Sequence, residues 1–303
     1  MRWVTYRSPL DGVARAGLLK EGEIRGVPGN WGLLEWLKSE GGLEKAAQLA
    51  MKSPIEVCPE SSVVLEAPVM HPPSLRDFLS FEAHFANAIA NSGRAIPPVW
   101  YEQPSFYFSN PAAVCGPTER VRISPGSNAF DYELELGAII GKTGNDLSVA
   151  EANQHIAGYT ILCDWSARDL QARESEVRLG PSKGKDSATS LGPYMVTPDE
   201  LEEFRSGKGY DLNMEAFVNG VRYGGGNWSD IYWSFPEMVS HASRGTTVMA
   251  GDVFGSGTVG TGCIGELSRL HSEEEYPWLR PGDVVQLRVE KLGSITAKLD
   301  AAK

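Results

Sequence analysis

Phe130-Asp131-Tyr132-Glu133-Leu134-Glu135-Leu136-Gly137-Ala138-Ile139-Ile140-Gly141 sets three acids in alternation with Tyr, Leu and Leu, ahead of an apolar run. In a β-strand, residues i, i+2 and i+4 share a face. Asp131, Glu133 and Glu135 then line one face, while Tyr132, Leu134 and Leu136 pack on the other. Neighbouring carboxylates repel unless positive charge sits among them. A hard divalent cation, which prefers oxygen ligands, is the simplest such charge. The stretch therefore predicts a strand that carries a carboxylate-bound metal site inside a β-rich enzyme.

The sequence around it agrees with an α+β fold that is mostly β. The 33 Gly and 19 Pro favour turn-rich β structure over a helical bundle. Strands are expected at residues 3–7, 14–27 (turning at Glu21-Gly22), 105–108, 132–140, 159–163, 213–218, 284–291 and 294–299. Asn219-Gly220 is a two-residue hairpin signal. Helical spacing covers residues 31–51, broken at Gly41-Gly42, and residues 75–90 and 231–241. The elements do not alternate as βαβα, which argues against a doubly wound parallel sheet.

A chain of 303 residues suits one large domain with a small one. Pro68, Pro72 and Pro73 mark a joint, dividing a small N-terminal β-containing unit, residues 1–70, from a catalytic unit, residues 71–303. A net charge of −11 argues against nucleic acid or an anionic membrane as partner. Cys58, Cys115, Cys163 and Cys263 form no CxxC pair and read as buried thiols in a reducing compartment. The first ten residues are too polar for a signal peptide, and no run of eighteen apolar residues occurs, so a cytoplasmic protein is expected.

Four more segments carry chemistry. Asp164, Arg168 and Gln171, at i, i+4 and i+7 after an apolar strand, fit a helical face that holds a metal and a substrate carboxylate or carbonyl, or equally a helix cap with an ion pair. Leu179-Gly180-Pro181-Ser182-Lys183-Gly184-Lys185-Asp186 is a Gly/Pro loop with two lysines. Asp77 and His84, seven residues apart on the expected helix, would face one way. Gly255-Ser256-Gly257-Thr258-Val259-Gly260-Thr261-Gly262, with Glu266 beyond it, lacks phosphate-loop spacing and fits a tight turn that offers backbone N–H groups.

Taken in order, Tyr132-Glu133-Leu134-Glu135, Asp164-Trp165-Ser166-Ala167-Arg168-Asp169-x-Gln171, Leu179-Gly180-Pro181-x-x-Gly184-Lys185 and Gly255-Ser256-Gly257-Thr258 resemble the fumarylacetoacetate hydrolase family over about residues 70 to 303. The resemblance implies a mixed β-roll or sandwich catalytic domain, usually a homodimer. It also implies a divalent cation: Mg²⁺, or Ca²⁺ or Mn²⁺. Glu133, Glu135 and Asp164 match its metal ligands, and Asp77 matches a fourth ligand of the larger members. Asp131 is no family ligand and falls behind them. His84 matches the water-activating histidine and Glu266 its carboxylate partner. Lys185, Arg168, Gln171 and Thr258 match residues that hold substrate and stabilise negative charge, and Tyr107 and Arg94 match further substrate contacts. The implied reaction is hydrolysis of a C–C bond in a β-diketo acid, of fumarylacetoacetate or acylpyruvate type, through a metal-bound enolate. Isomerisation or decarboxylation of a 2-oxo acid in aromatic catabolism is the alternative, and a non-catalytic metal-stabilised dimer the third reading. Two positions depart from the pattern. Asn87 stands where smaller members carry a catalytic Glu, so Glu266 must reach His84 from elsewhere. Leu79 stands where fumarylacetoacetase itself would carry a substrate-facing Tyr.

Overall fold

The computed structural model describes residues 1–90 and 93–302. The chain opens with strands β1 (Arg2–Arg7), β2 (Ala14–Lys20) and β3 (Glu23–Gly26), helices α1 (Leu33–Lys38) and α2 (Gly42–Lys52), and β4 (Val57–Pro59). Next come β5 (Leu75–Phe78), α3 (Glu82–Ala88) and β6 (Phe106–Ser109). The middle of the chain forms β7 (Leu134–Ile140), α4 (Val149–His155), β8 (Ile156–Asp164), α5 (Arg168–Ser175), β9 (Thr189–Val196), β10 (Asn213–Val218) and β11 (Val221–Asn227). It ends with α6 (Phe235–Ser243), β12 (Val253–Gly255), α7 (Ile264–Leu270), β13 (Val284–Val289) and β14 (Gly293–Asp300).

The larger sheet runs β4-β3-β2-β1-β9-β8-β7-β12-β5-β6, with Leu65–Glu66 added beside β1 and Val114–Cys115 beside β9. Its pairs are antiparallel except β12 with β5 and Val114–Cys115 with β9. A second sheet, β11-β10-β13-β14 and Val121–Arg122, packs on the middle of the first. Strand outweighs helix, 34% to 26%, so the mostly β, α+β reading holds and no barrel closes.

The two sheets enclose one core. Leu134, Leu136, Ala138 and Ile140 of β7 and Ile161 and Cys163 of β8 meet Val285, Leu287, Ile295 and Ala297 there. The other face of the large sheet is covered as well, with Ile139, Leu162, Leu191 and Met195 packing against Trp3, Leu33 and Trp36. A strand buried on both faces reads as a continuous apolar run, as Gly137 to Ile140 does. Residues 1–70 join this body directly, since Trp3 of β1 pairs with Met195 of β9.

Three local expectations need correction. Residues 75–78 form β5 rather than the first turn of a helix, and the helix begins at Glu82. A short apolar run does not distinguish strand from helix by period, and here pairing with β12 and β6 decides. The strand expected from residue 132 starts at Leu134, and the helix expected from residue 231 starts at Phe235, behind a capping box of Ser234 and Glu237. Strand β9 runs through Leu191-Gly192-Pro193, which reads locally as a loop; Pro193 is tolerated because the pairing of β9 with β8 shifts register there. Helix α4 carries its signature in Ser148 and Glu151, a second capping box.

Candidate active site

Neighbouring strands deliver four carboxylates to one point. Asp77 lies on β5, Glu135 on β7, Glu133 just ahead of β7, and Asp164 at the end of β8. One oxygen from each falls within 4.8 Å of the others, and all four residues are buried. The turn after β12 supports them: the Gly257 N–H donates to Glu135 Oε2 at 3.0 Å and to Asp77 Oδ1 at 3.3 Å. Only glycine fits there, because φ is +76° and a Cβ would lie 2.3 Å from the Phe78 carbonyl oxygen. The Thr258 hydroxyl lies 3.5 Å from Glu135 Oε1. Tyr107 donates its hydroxyl to Asp77 Oδ2 at 3.0 Å and contacts the Asp164 carboxylate.

Burial sets the electrostatics. Desolvation pushes the Asp77 carboxyl up, and desolvation with the charges of Asp77 and Glu133 drives Glu135 well up. Desolvation raises Asp164 to about 8 despite Lys185 beside it. Glu133 is desolvated too, yet Lys185 and then Arg168 hold it below the usual carboxylate range. Asp164 Oδ1 is buried with no hydrogen-bond partner among the described residues. A set of four converging carboxylates with an unpartnered oxygen and disfavoured ionisation fits a hard divalent cation.

Cations flank the cluster on one side. Lys185 Nζ lies 2.6 Å from Asp164 Oδ2 and also contacts Glu133. Arg168 Nη2 lies 2.8 Å from both Glu133 Oε1 and Asp131 Oδ2. Asp131 accepts the N–H groups of Ile264 and Gly265 at 2.8 and 2.9 Å, which ties α7 to the acid strand. Asp164 therefore ends a strand instead of sharing a helical face with Arg168, and the alternative i,i+4 ion pair between them does not form either. Gln171 Oε1 accepts from Arg168 Nη1 at 3.3 Å.

His84 and Glu266 meet although 182 positions separate their numbers: Nδ1 of His84 on α3 lies 2.8 Å from Oε2 of Glu266 on α7. Oε1 of Glu266 accepts the Thr261 N–H at 2.9 Å and the Asn87 side-chain amide at 3.0 Å. Asp77 and His84 thus come from different elements, not from one helix face.

A cavity of about 1000 Å³ joins both groups. Asp77, Glu133, Glu135, His84, Glu266, Lys185, Arg168, Gln171, Thr258 and Tyr107 all line it. Asp164, in contact with Lys185, and Arg94, exposed on the stretch after α3, are not among the residues that line it. Leu79, Phe85, Phe106 and Trp278 form an apolar part of the wall. Sequence reasoning missed Cys263, whose Sγ lies 3.4 Å from Glu266 Oε2, and the supporting contact of Asn87. Only the spacing of Cys263 and Glu266 on one helical turn hinted at the first. Cys58, Cys163 and Cys263 are buried, Cys115 is half-buried, and all four are free thiols. No helix among the described residues is long and apolar enough to cross a membrane.

Comparison with known proteins places this geometry. Residues 74–300 match the family described as fumarylacetoacetate (FAA) hydrolase C-terminal. Oxaloacetate tautomerase YisK of Bacillus subtilis (strain 168) is 31% identical over 202 residues, covering 65% of this chain and 62% of that protein. The 2,4-didehydro-3-deoxy-L-rhamnonate hydrolase of Sphingomonas sp. (strain SKA58) is 32% identical over 195 residues, 63% of each. The chain thus spans 62% and 63% of the length of these two curated relatives. Mitochondrial oxaloacetate tautomerase FAHD2A of Homo sapiens is 26% identical over 268 residues, 88% of this chain and 79% of that one. Among solved structures, fumarylacetoacetate hydrolase of Exiguobacterium antarcticum aligns over 100% of both chains with a TM-score of 0.77 and 25% identity. Maleylpyruvate hydrolase of Sphingobium sp. SYK-6 aligns over 100% of both with a TM-score of 0.72 and 22% identity, which speaks to the fold alone. The match from residue 74 to residue 300 takes in the whole carboxylate cluster and the His84–Glu266 pair, and this chain belongs to the fumarylacetoacetate hydrolase family, whose members are enzymes.

Proposed function

We propose that the chain is a divalent-metal-dependent hydrolase that cleaves a C–C bond in a β-diketo acid of acylpyruvate or fumarylacetoacetate type. The observation that carries this reading is the placement of His84, held by Glu266, in one cavity with Asp77, Glu133 and Glu135, whose carboxylates gather with that of Asp164. These four carboxylates would hold Mg²⁺, Ca²⁺ or Mn²⁺. The bound ion would supply Lewis-acid polarisation and the positive charge that an enolate leaving group requires.

The chain's own residues do the rest. Glu266 orients the His84 ring, which takes a proton from water so that hydroxide attacks the distal carbonyl. Arg168, fixed by Asp131, and Lys185 supply positive charge, and Gln171 an amide, beside the developing anion. Protonated His84 can then return its proton to the leaving carbon. Thr258 and Tyr107 steady the ligand set, and the apolar wall with Leu79 receives the substrate tail. On this reading the protein takes no nucleic acid or membrane partner, works in the cytoplasm and pairs as a homodimer.

The test is a panel of acylpyruvates, fumarylacetoacetate and oxaloacetate, with Mg²⁺ and with chelator, following loss of enol absorbance and identifying products. Metal-dependent appearance of two acid fragments is expected, and His84→Ala should lower turnover by roughly 10²–10⁴. A second reading, 2-oxo acid tautomerase or isomerase, draws support from the tautomerases of 31% and 26% identity. Against it, a cavity of about 1000 Å³ with an apolar wall is generous for a four-carbon diacid. Full turnover by His84→Ala, or a rearranged product of unchanged mass, would favour the second.

A further inference from the structure

Beside the carboxylate cluster lies a second donor set of different chemistry. Cys263 caps the start of α7, Glu266 sits on its first turn, and His84 faces them from α3. A sulfur, a carboxylate oxygen and a ring nitrogen fall within 4.8 Å of one another there, on three buried residues that line the cavity. Nitrogen and sulfur donors select zinc, whereas all-oxygen sets select Mg²⁺, Ca²⁺ and Mn²⁺. The two donor sets therefore differ in the hardness of the cation they suit.

The spacing suits one tetrahedral ion. Ligands at zinc's usual bond lengths stand roughly 3.3–3.8 Å apart around it. Cys263 Sγ lies 3.4 Å from Glu266 Oε2, inside that range. His84 Nδ1, at 2.8 Å from the same oxygen, needs to open by only about half an ångström to reach the lower end of it. The other oxygen of Glu266 stays on the Thr261 N–H and the Asn87 amide, so Oε2 is the atom left to ligate. A thiolate, a carboxylate and a neutral imidazole cancel the charge of Zn²⁺, which lets the complex remain buried.

We propose that His84, Cys263 and Glu266 form an inhibitory Zn²⁺ site, separate from the four-carboxylate site and leaving a fourth coordination position toward the cavity. The Cys263 S–H gives its proton to solvent as the Zn–S bond forms, and no electron is transferred. Zinc on a ring nitrogen of His84 removes the base that activates water. This inhibitory consequence rests on the hydrolase reading, whereas the binding does not.

The experiment titrates the full-length protein, in excess Mg²⁺, with Co²⁺ as the spectroscopic stand-in for Zn²⁺. A thiolate-to-cobalt absorption band is expected that saturates at one ion per chain and disappears on adding Zn²⁺. Cys263→Ser should abolish the band and weaken Zn²⁺ binding at least about tenfold. His84→Ala should weaken the band as well, which guards against misfolding of a single variant. Glu135→Gln should leave it in place. No band, or an unchanged band in Cys263→Ser, overturns the site. A band without loss of turnover on adding Zn²⁺ overturns its inhibitory role, while failure of every diketo acid to turn over would count against the hydrolase reading and leave the band intact.

Discussion

Glu133 is shared by two cations: Arg168 Nη2 lies 2.8 Å from its Oε1, and Lys185 Nζ contacts its Oε2. Lys185 reaches Asp164 as well, at 2.6 Å, and is itself buried. A single ammonium thus serves two carboxyl groups that water cannot solvate, and Glu133 is the one it holds ionised. Removing one partner of a buried pair costs about 3–5 kcal/mol, because the other charge stays behind. Lys185→Met should therefore lose about that much stability in chelator, measured by denaturant unfolding. Saturating Mg²⁺ should recover most of the loss. A variant equally unstable with and without Mg²⁺ would show that Lys185 supports the fold, not the charge balance.

Glu135 tests the ligand set from the opposite side. It has no cation within ion-pair distance among the described residues, and it accepts from the Gly257 N–H at 3.0 Å. Glu135→Gln keeps the shape and removes the charge. Divalent-ion affinity should fall tenfold or more, and each factor of ten removes about 1.4 kcal/mol of ion-linked stability. The midpoint difference between Mg²⁺-loaded and chelated protein should shrink accordingly. An unchanged difference takes Glu135 off the ligand set.

Proton linkage gives a third prediction. Desolvation raises Asp164 to about 8 in the ion-free protein, against about 3.9 for an unfolded aspartate. Between those values the folded state holds a proton that the unfolded state has lost. This contribution to stability is complete below about pH 4 and is lost as pH rises through about 8. A divalent cation displaces that proton, so its binding tightens over the same window. The midpoint gain from Mg²⁺ should grow as pH rises from about 6 to about 8. A gain independent of pH would mean that Asp164 and its neighbours in the cluster are already ionised without the ion.

What was legible in the sequence follows the range of each physical signal. The alternation of Glu133, Leu134, Glu135 and Leu136 is local, and the structure keeps it: the leucines enter the sheet-to-sheet core and the acids gather with Asp77 and Asp164. A shared helix face does not join Asp77 to His84, because pairing with Gly255 and Tyr107 makes residue 77 part of a strand. The contact of Asn87 with Glu266 spans 179 positions and leaves no periodic trace. Strand β9 was hidden by Gly192-Pro193, whose loop-like composition is overruled by partners on both sides.

Gly184 offers the sharpest test of how the loop delivers Lys185. A Cβ at residue 184 would lie 2.7 Å from the Gln171 Cα and 2.8 Å from its backbone nitrogen, atoms of α5 that cannot step aside. The loop must move instead, and Lys185 is the next residue. Gly184→Ala leaves every polar side chain of the site in the sequence and changes only position. A shift of about 1 Å in a group that positions substrate costs on the order of 10²-fold in rate. Turnover should fall by that order with a far-UV spectrum like that of the unaltered protein, and the gain in midpoint from Mg²⁺ should rise, because a displaced ammonium competes less with the ion for Glu133 and Asp164. Unchanged turnover would show that α5 yields to the methyl group and that the loop's position is not set by this contact.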